Sequence, residues 1–195
     1  GSSDSGAEGA FAVFIQNTTN KWQMGMNTDN SFRLYSYSAS AEVLNMDSTG
    51  AMTKPLQPAF LVQASGQTNL STNATTTIGF SAVFDQGSDF DSSTETFTAP
   101  VTGKYQFNYS LRCDQVDNTT QYTNPQIVTS NRTIQFIYGN NGFDADLDYF
   151  SFTGSHLIDM DAGDTAQLKV YLPSLGTAQL DIESNMSFFS GYLVC

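Results

Sequence analysis

Charge is what this chain has least of. Asp, Glu, Lys and Arg make up 13% of its 195 residues, about half the usual quarter, and only seven of them are basic. The balance of -12 argues against nucleic acid as a partner, because phosphates would be repelled by such a surface. Anionic lipid is disfavoured for the same reason. No apolar run approaches the roughly 20 residues that cross a bilayer, so no membrane insertion is expected. A signal-peptide pattern and an initiating Met are both missing, and the start Gly1-Ser2-Ser3 reads as that of a fragment. Histidine occurs once, as His156, with no nucleophile patterned beside it, so no catalytic triad is assembled and no enzyme is expected. No Cys/His spacing suits zinc and no Gly-rich phosphate loop occurs, which leaves no cofactor or metal to expect.

Acidic clusters are the remaining candidates for chemistry. Asp144, Asp146 and Asp148 alternate, and Asp85, Asp89 and Asp91 form a second group. Such spacing supplies part of a calcium shell, but the Glu that closes a helix-loop-helix site is missing, so the clusters read as solvated turns. A glycosidase pair of carboxylates cannot be placed by sequence. Seven Asn-x-Ser/Thr triplets occur where a chain this rich in Asn, Ser and Thr holds about three by chance, and glycosylation is not inferred from them.

What is abundant points to β-structure. Aromatics are 13% of the chain, with Asn, Ser and Thr prominent and no long helix-period run. After Pro100 and Gly103, Tyr105, Phe107, Tyr109 and Leu111 alternate with Lys104, Gln106, Asn108 and Ser110, the period of a strand laid over a core. Residues 1–10 are small and polar, a linker or a leftover of cloning. Residues 11–54 alternate short strands (10–15, 21–26, 32–37, 42–46) with turn signals, and Lys54-Pro55 marks the boundary to a larger unit, 55–195. Forty-odd residues of short strands bury little surface alone and gain stability if three copies wrap together. In the larger unit strands are expected near 58–64, 75–84, 94–99, 103–113, 130–138, 149–161, 165–172, 177–183 and 188–194. Asp114–Thr129 is left as a long polar loop, a length that is often functional.

Asp85, Phe90, Phe97, Gly103, Tyr105, Phe107 and Tyr109 fall at the spacings of a known signature. Pro58-Ala-Phe60, the Gly163-Asp164 turn after Leu157-Ile-Asp-Met, and Phe189-Ser-Gly191-Tyr-Leu-Val extend the match over about Pro58–Cys195. The chain thereby resembles the complement 1q globular-head family, whose jelly roll is shared with the tumour necrosis factor family. Phe80 sits one residue too close to Asp85, which calls for a gap or local bulge. The resemblance implies an all-β, ten-stranded jelly-roll sandwich assembled as a homotrimer. It also implies that the strands of Cys113 and Cys195 are antiparallel neighbours with the two thiols at opposite ends, hence free.

Phe188-Phe189-Ser-Gly191-Tyr192-Leu193-Val194-Cys195 is apolar on both faces, and a sandwich covers only one. With the resemblance, Phe189, Leu193 and Cys195 are expected at the threefold interface, together with Gln106, Asn108 and Ser110. The family places both ends of the head at one base, which would carry the 114–129 loop to the far tip. There Asn118, Gln121, Tyr122 and Asn124 offer amides and a ring for a sugar or polar ligand. Residues 22–50 look like β-modules common in bacteriophage tail fibres, so 11–54 reads as a fibre neck. Together these imply a non-enzymatic trimeric head of a viral tail fibre, at the virion surface or otherwise extracellular, that binds a host cell-surface glycan or protein. The alternatives are the tip of a bacterial surface or spore-coat filament, and a secreted recognition protein of the complement 1q type.

Overall fold

The computed structural model describes residues 9–173 and 179–195, in two units that divide between Gln57 and Pro58, three residues past the expected boundary at Lys54. The first unit is a five-stranded antiparallel meander in chain order: β1 (Phe11–Gln16), β2 (Thr19–Met26), β3 (Phe32–Ser36), β4 (Ala41–Met46) and β5 (Met52–Thr53). Its tight turns are set by side chains that accept positive φ or cap the backbone. Asn17 and Thr18 take φ of 49° and 63° in the first hairpin, as a two-residue primed turn requires. Asp47 accepts from the backbone N–H of Thr49 (2.8 Å) and Ala51 (2.9 Å). The Thr49 hydroxyl, which also donates to it, and these backbone bonds hold its carboxyl below the ordinary range.

The second unit stacks two antiparallel sheets. One runs β15 (Leu147–Met160), β11 (Gly103–Val116), β18 (Phe188–Leu193), β6 (Ala59–Ala64), β8 (Phe80–Gln86), with β17 (Asp181–Ile182) also on β11. The other runs β13 (Thr133–Gln135), β12 (Tyr122–Thr129), β16 (Thr165–Leu172), β10 (Thr96–Thr98), β9 (Phe90–Asp91), with β7 (Ala74–Thr77) on β16 and β14 (Tyr138–Gly139) on β12. Each sheet thus carries a five-strand path, which gives the expected ten-stranded jelly-roll sandwich.

Aromatic rings fill the space between the sheets. Phe60 stacks on Phe97 and Phe90 at centroid distances of 4.9 and 5.3 Å, and Phe107 stacks on Phe189 at 5.8 Å. Tyr105, Phe107, Tyr109 and Leu111 all point inward from β11, as the alternation requires. The Tyr105 hydroxyl donates to the Val101 carbonyl at 2.7 Å and pins the Pro100–Gly103 turn. Asp85 accepts from the N–H groups of Asp89 (3.1 Å) and Phe90 (3.0 Å), which explains an acid at that place in the signature. The expected irregularity after Phe80 is a bulge: Leu61 opposes Phe84 while Val62 opposes Ala82, so Val83 is the extra residue.

Four segments depart from expectation. Residues 75–84 are two strands in different sheets, because the chain crosses between sheets at Ile78–Gly79. The 114–129 segment is not a loop: β11 continues to Val116, a short turn follows, and Tyr122–Thr129 is strand β12 between β13 and β16. Its inward positions are Thr123, Pro125, Ile127 and Thr129, too polar to register as a hydrophobic period. Pro125 fits because its carbonyl accepts from Phe136 N–H (2.9 Å) and it has no donor to waste. The 130–138 strand shortens to Thr133–Gln135. Part of the expected 177–183 strand lies outside the described residues, and the remainder pairs only at Asp181–Ile182.

Candidate interaction surfaces

The β15-β11-β18-β6-β8 sheet has one face on the core and one turned out. Cross-strand pairing places Gln106 between Leu157 and Tyr192, Asn108 between Ser155 and Ser190, and Ser110 between Thr153 and Phe188. Leu61 and Phe84 extend the middle row on β6 and β8. The centre of this outer face carries no charge, while Lys104 and Asp159 stand at one end and Arg112 and Asp114 at the other. Gln106 donates to Ser155 Oγ at 2.8 Å and to the Phe107 carbonyl at 3.1 Å, so its amide N–H groups are bonded within its own sheet. Phe84, Leu157 and Tyr192 remain 52%, 49% and 47% exposed, large apolar surfaces around a polar centre.

Gln106, Asn108 and Ser110, expected at a threefold interface, therefore lie on the outer face of the sheet. Phe189 does not. It is fully buried in its own sandwich against Phe60, Phe80 and Phe107, and Leu193 packs against the same core. The reason is Gly191, on the same side of β18 as Phe189. A Cβ there would lie 2.7 Å from ring carbons of both Phe60 and Phe107, so only glycine lets those rings close over the strand. The opposite side, Phe188, Ser190 and Tyr192, is the one turned outward. Cys195 follows the end of β18 and is exposed, while Cys113 is buried, and both thiols are free.

The two ends of the unit are chemically different. Pro58 and Cys195 lie at one end, where Leu193 N–H donates to Pro58 O (3.0 Å) and Lys104 N–H to Cys195 O (2.8 Å). β11 starts there and finishes at the far end, where Val116 opposes Leu147. The far end carries the 117–121 turn, closed by Asp117, which accepts from Thr119 N–H at 2.7 Å. Asn118 N–H donates to Asp146 at 2.9 Å, and Gln121 is exposed on the same turn. Tyr122 is half-buried beside Tyr171, with ring centroids 6.3 Å apart. Asn124 leaves this group: it is 2% exposed inside the sheet and donates to Gln135 Oε1 at 2.9 Å. Buried and bonded to Gln135, its side chain is not offered to a ligand at the tip.

Sequence reasoning missed a cleft of about 520 Å³ at this end, lined by Asp114, Asp117, Asp146, Asp148 and Asp181 with Gln115 and Gln179. Strands distant in sequence bring these carboxylates together, so no local motif announces them. Gln115 donates to Asp181 at 3.2 Å, and Arg112 approaches Asp114 at 3.4 Å. Among the described residues, no group of three or more His, Cys, Asp or Glu side chains is arranged to hold a metal ion. His156 is exposed on the outermost strand, β15. No helix is long and apolar enough to cross a membrane among the described residues.

Two stacked antiparallel sheets, each built on a five-strand path, define a jelly-roll module. The chain belongs to the C1q domain family, whose model matches residues 59–194. Its fold is similar to the globular domain of zebrafish complement 1qA protein, at 17% identity and a TM-score of 0.53, covering 71% of this chain and 98% of that one. Murine APRIL in a crystal at pH 8.0 is similar too, at 12% identity and a TM-score of 0.52, covering 71% and 99% of the two chains. No curated protein sequence matches the chain significantly.

Proposed function

We propose that this chain is a non-enzymatic, homotrimeric receptor-binding head with its fibre neck, borne at the tip of a viral, phage-type tail fibre and exposed at the virion surface. The observation that carries the reading is the outer face of the β11 sheet. Its centre is uncharged, the Gln106 amide N–H groups are bonded within the sheet, and Phe84, Leu157 and Tyr192 stand exposed around it. That composition suits burial against copies of itself, and the C1q family membership supports a trimer. Trimerisation through this face leaves the far end free, threefold repeated, with Asn118, Gln121 and Tyr122 beside the acidic cleft. A ligand met there is an uncharged glycan or a basic protein patch, since an anionic one would be repelled. Three weak contacts on one rigid head then add avidity.

Sedimentation equilibrium tests the assembly. Wild type is expected at three times the chain mass, and Tyr192→Glu, which sets a charge in the uncharged face, at one. A monomeric wild type at micromolar concentration overturns the reading. Attachment to host cells tests the role of the far end: the combined Asn118→Ala, Gln121→Ala, Tyr122→Ala variant should remain trimeric and lose attachment. Undiminished attachment by that trimer would move the binding site to the neighbouring loops near 65–75 or 183–187.

A further inference from the structure

The meander β1–β5 has two unlike faces, and its pairing register sorts them without ambiguity. Phe14, Trp22, Ser36 and Ala41 form one cross-strand row. Ala12, Met24, Leu34 and Leu44 form the next, and Met26, Phe32, Met46 and Met52 the third. Ser36 is the only polar residue among these and none is charged. The reverse face carries Phe11 and Val13 on β1 and is otherwise polar, with Gln23, Arg33, Tyr35, Glu42 and Asn45 across β2–β4. Arg33 pairs with Glu42 at 2.9 Å and lies over the Phe11 ring at 4.9 Å, Asn45 donates to Glu42 at 2.8 Å, and Tyr37 to Gln23 at 2.9 Å. Within this unit no second layer covers the apolar face among the described residues. Phe14, Trp22 and Met26 are 49%, 41% and 49% exposed.

We infer that this apolar face is an interface with the same face of two further copies of the chain, so that three necks close on one another. The size of the patch selects this occupant. Five strands about 4.8 Å apart and some five residues long at ~3.3 Å each give a footprint of roughly 400 Å². A specific complex buries about 800 Å² per partner, so the patch is too small to hold a free partner from solution. It is large enough for a partner already delivered. Gln57 runs directly into Pro58, so a trimeric head tethers three necks within a few residues of one another. Their contact then becomes intramolecular, at an effective concentration near the millimolar range. The inference rests on the head being a trimer. It adds that the neck is a second, head-dependent interface with Trp22 inside it.

Trp22 is the only tryptophan, so the intact chain reports on this face directly. In the trimer its emission should be blue-shifted and its acrylamide quenching several-fold weaker than that of N-acetyltryptophanamide. Met24→Glu should return both to solvent-like values while sedimentation still gives a trimer. Gln23→Glu, one residue away on the reverse face, should leave them unchanged, which separates loss of the interface from a general effect of charge on the strand. In a Cys195→Ser background, Leu34→Cys should be linked between chains by a short bismaleimide. A trimeric protein with a solvent-like Trp22 overturns the inference and leaves the head reading standing. A protected Trp22 without cross-linking overturns it as well, because the cover then comes from within the chain. A monomeric mass overturns the head reading and this inference together.

Discussion

Replacing Gly191 by alanine tests the aromatic core at its tightest point. The added Cβ would stand 2.7 Å from Phe107 Cδ1, 2.7 Å from Phe60 Cε1 and 2.8 Å from Phe107 Cε1. Neither ring has a free end to swing away, since both are fully buried and each is held by the Phe97 and Phe189 rings. Forcing one methyl into such a core costs about 1–3 kcal/mol. Against this, Gly191 is outside the positive-φ region, so alanine there recovers ~0.4–1 kcal/mol by restricting the unfolded chain. The clash wins, with a net loss of about 1–2 kcal/mol and a fall in Tm of roughly 2–8 °C. Urea and thermal unfolding followed by circular dichroism, at one fixed protein concentration, measure it. Gly142→Ala is the control. Nothing lies within 4 Å of its Cβ, so it should stay within ~0.5 kcal/mol of wild type. Adding Phe107→Leu to Gly191→Ala should cost less than the two losses summed, by at least ~0.5 kcal/mol, because the smaller side chain frees the methyl. A Gly191→Ala protein as stable as wild type, or an additive double variant, would refute the packing argument.

Two further outcomes follow from the titratable groups. Burial raises the Cys113 thiol well above the ordinary cysteine value while Cys195 is exposed, so native protein should alkylate at Cys195 alone and at Cys113 only in denaturant, read by peptide mass. Burial, then the neighbouring Asp85 carboxylate, raises Asp89 above its usual 3.8. A raised folded-state value favours the fold below the unfolded pKa and withdraws that support as pH climbs through the folded one. Asp89→Asn should therefore be slightly more stable than wild type at pH 7, by no more than ~0.5 kcal/mol for a group only partly buried, with the gain fading below pH ~4. Paired urea titrations at the two pH values check it, and a loss of stability at neutral pH would contradict it.

Local chemistry settled a good deal of this protein in advance. The alternation along 103–111 determined a strand and which side of it is core, because polar and apolar residues there are cleanly separated. The spacing from Asp85 to Tyr109 carried the family, and the one-residue discrepancy at Phe80 announced the bulge at Val83. Turn residues set the meander of the first unit, since positive φ and capping carboxylates act over two or three residues. Other features depended on contacts between distant segments. β18 is apolar on both sides, so its period shows that two faces exist but not which one is inside. That was decided by Phe60 and Phe107, which close over Gly191 and draw Phe189 into the core. β12 carries too little apolar contrast to declare itself, and it is a strand because β13 and β16 supply partners for its backbone, which takes Asn124 away from the tip. The acidic cleft joins residues from β11, β15 and β17 and the turn after β11, and the uncovered face of the meander emerges only from pairing register. A sequence specifies each strand's alternation locally, but what lies against each face is a long-range choice made by packing.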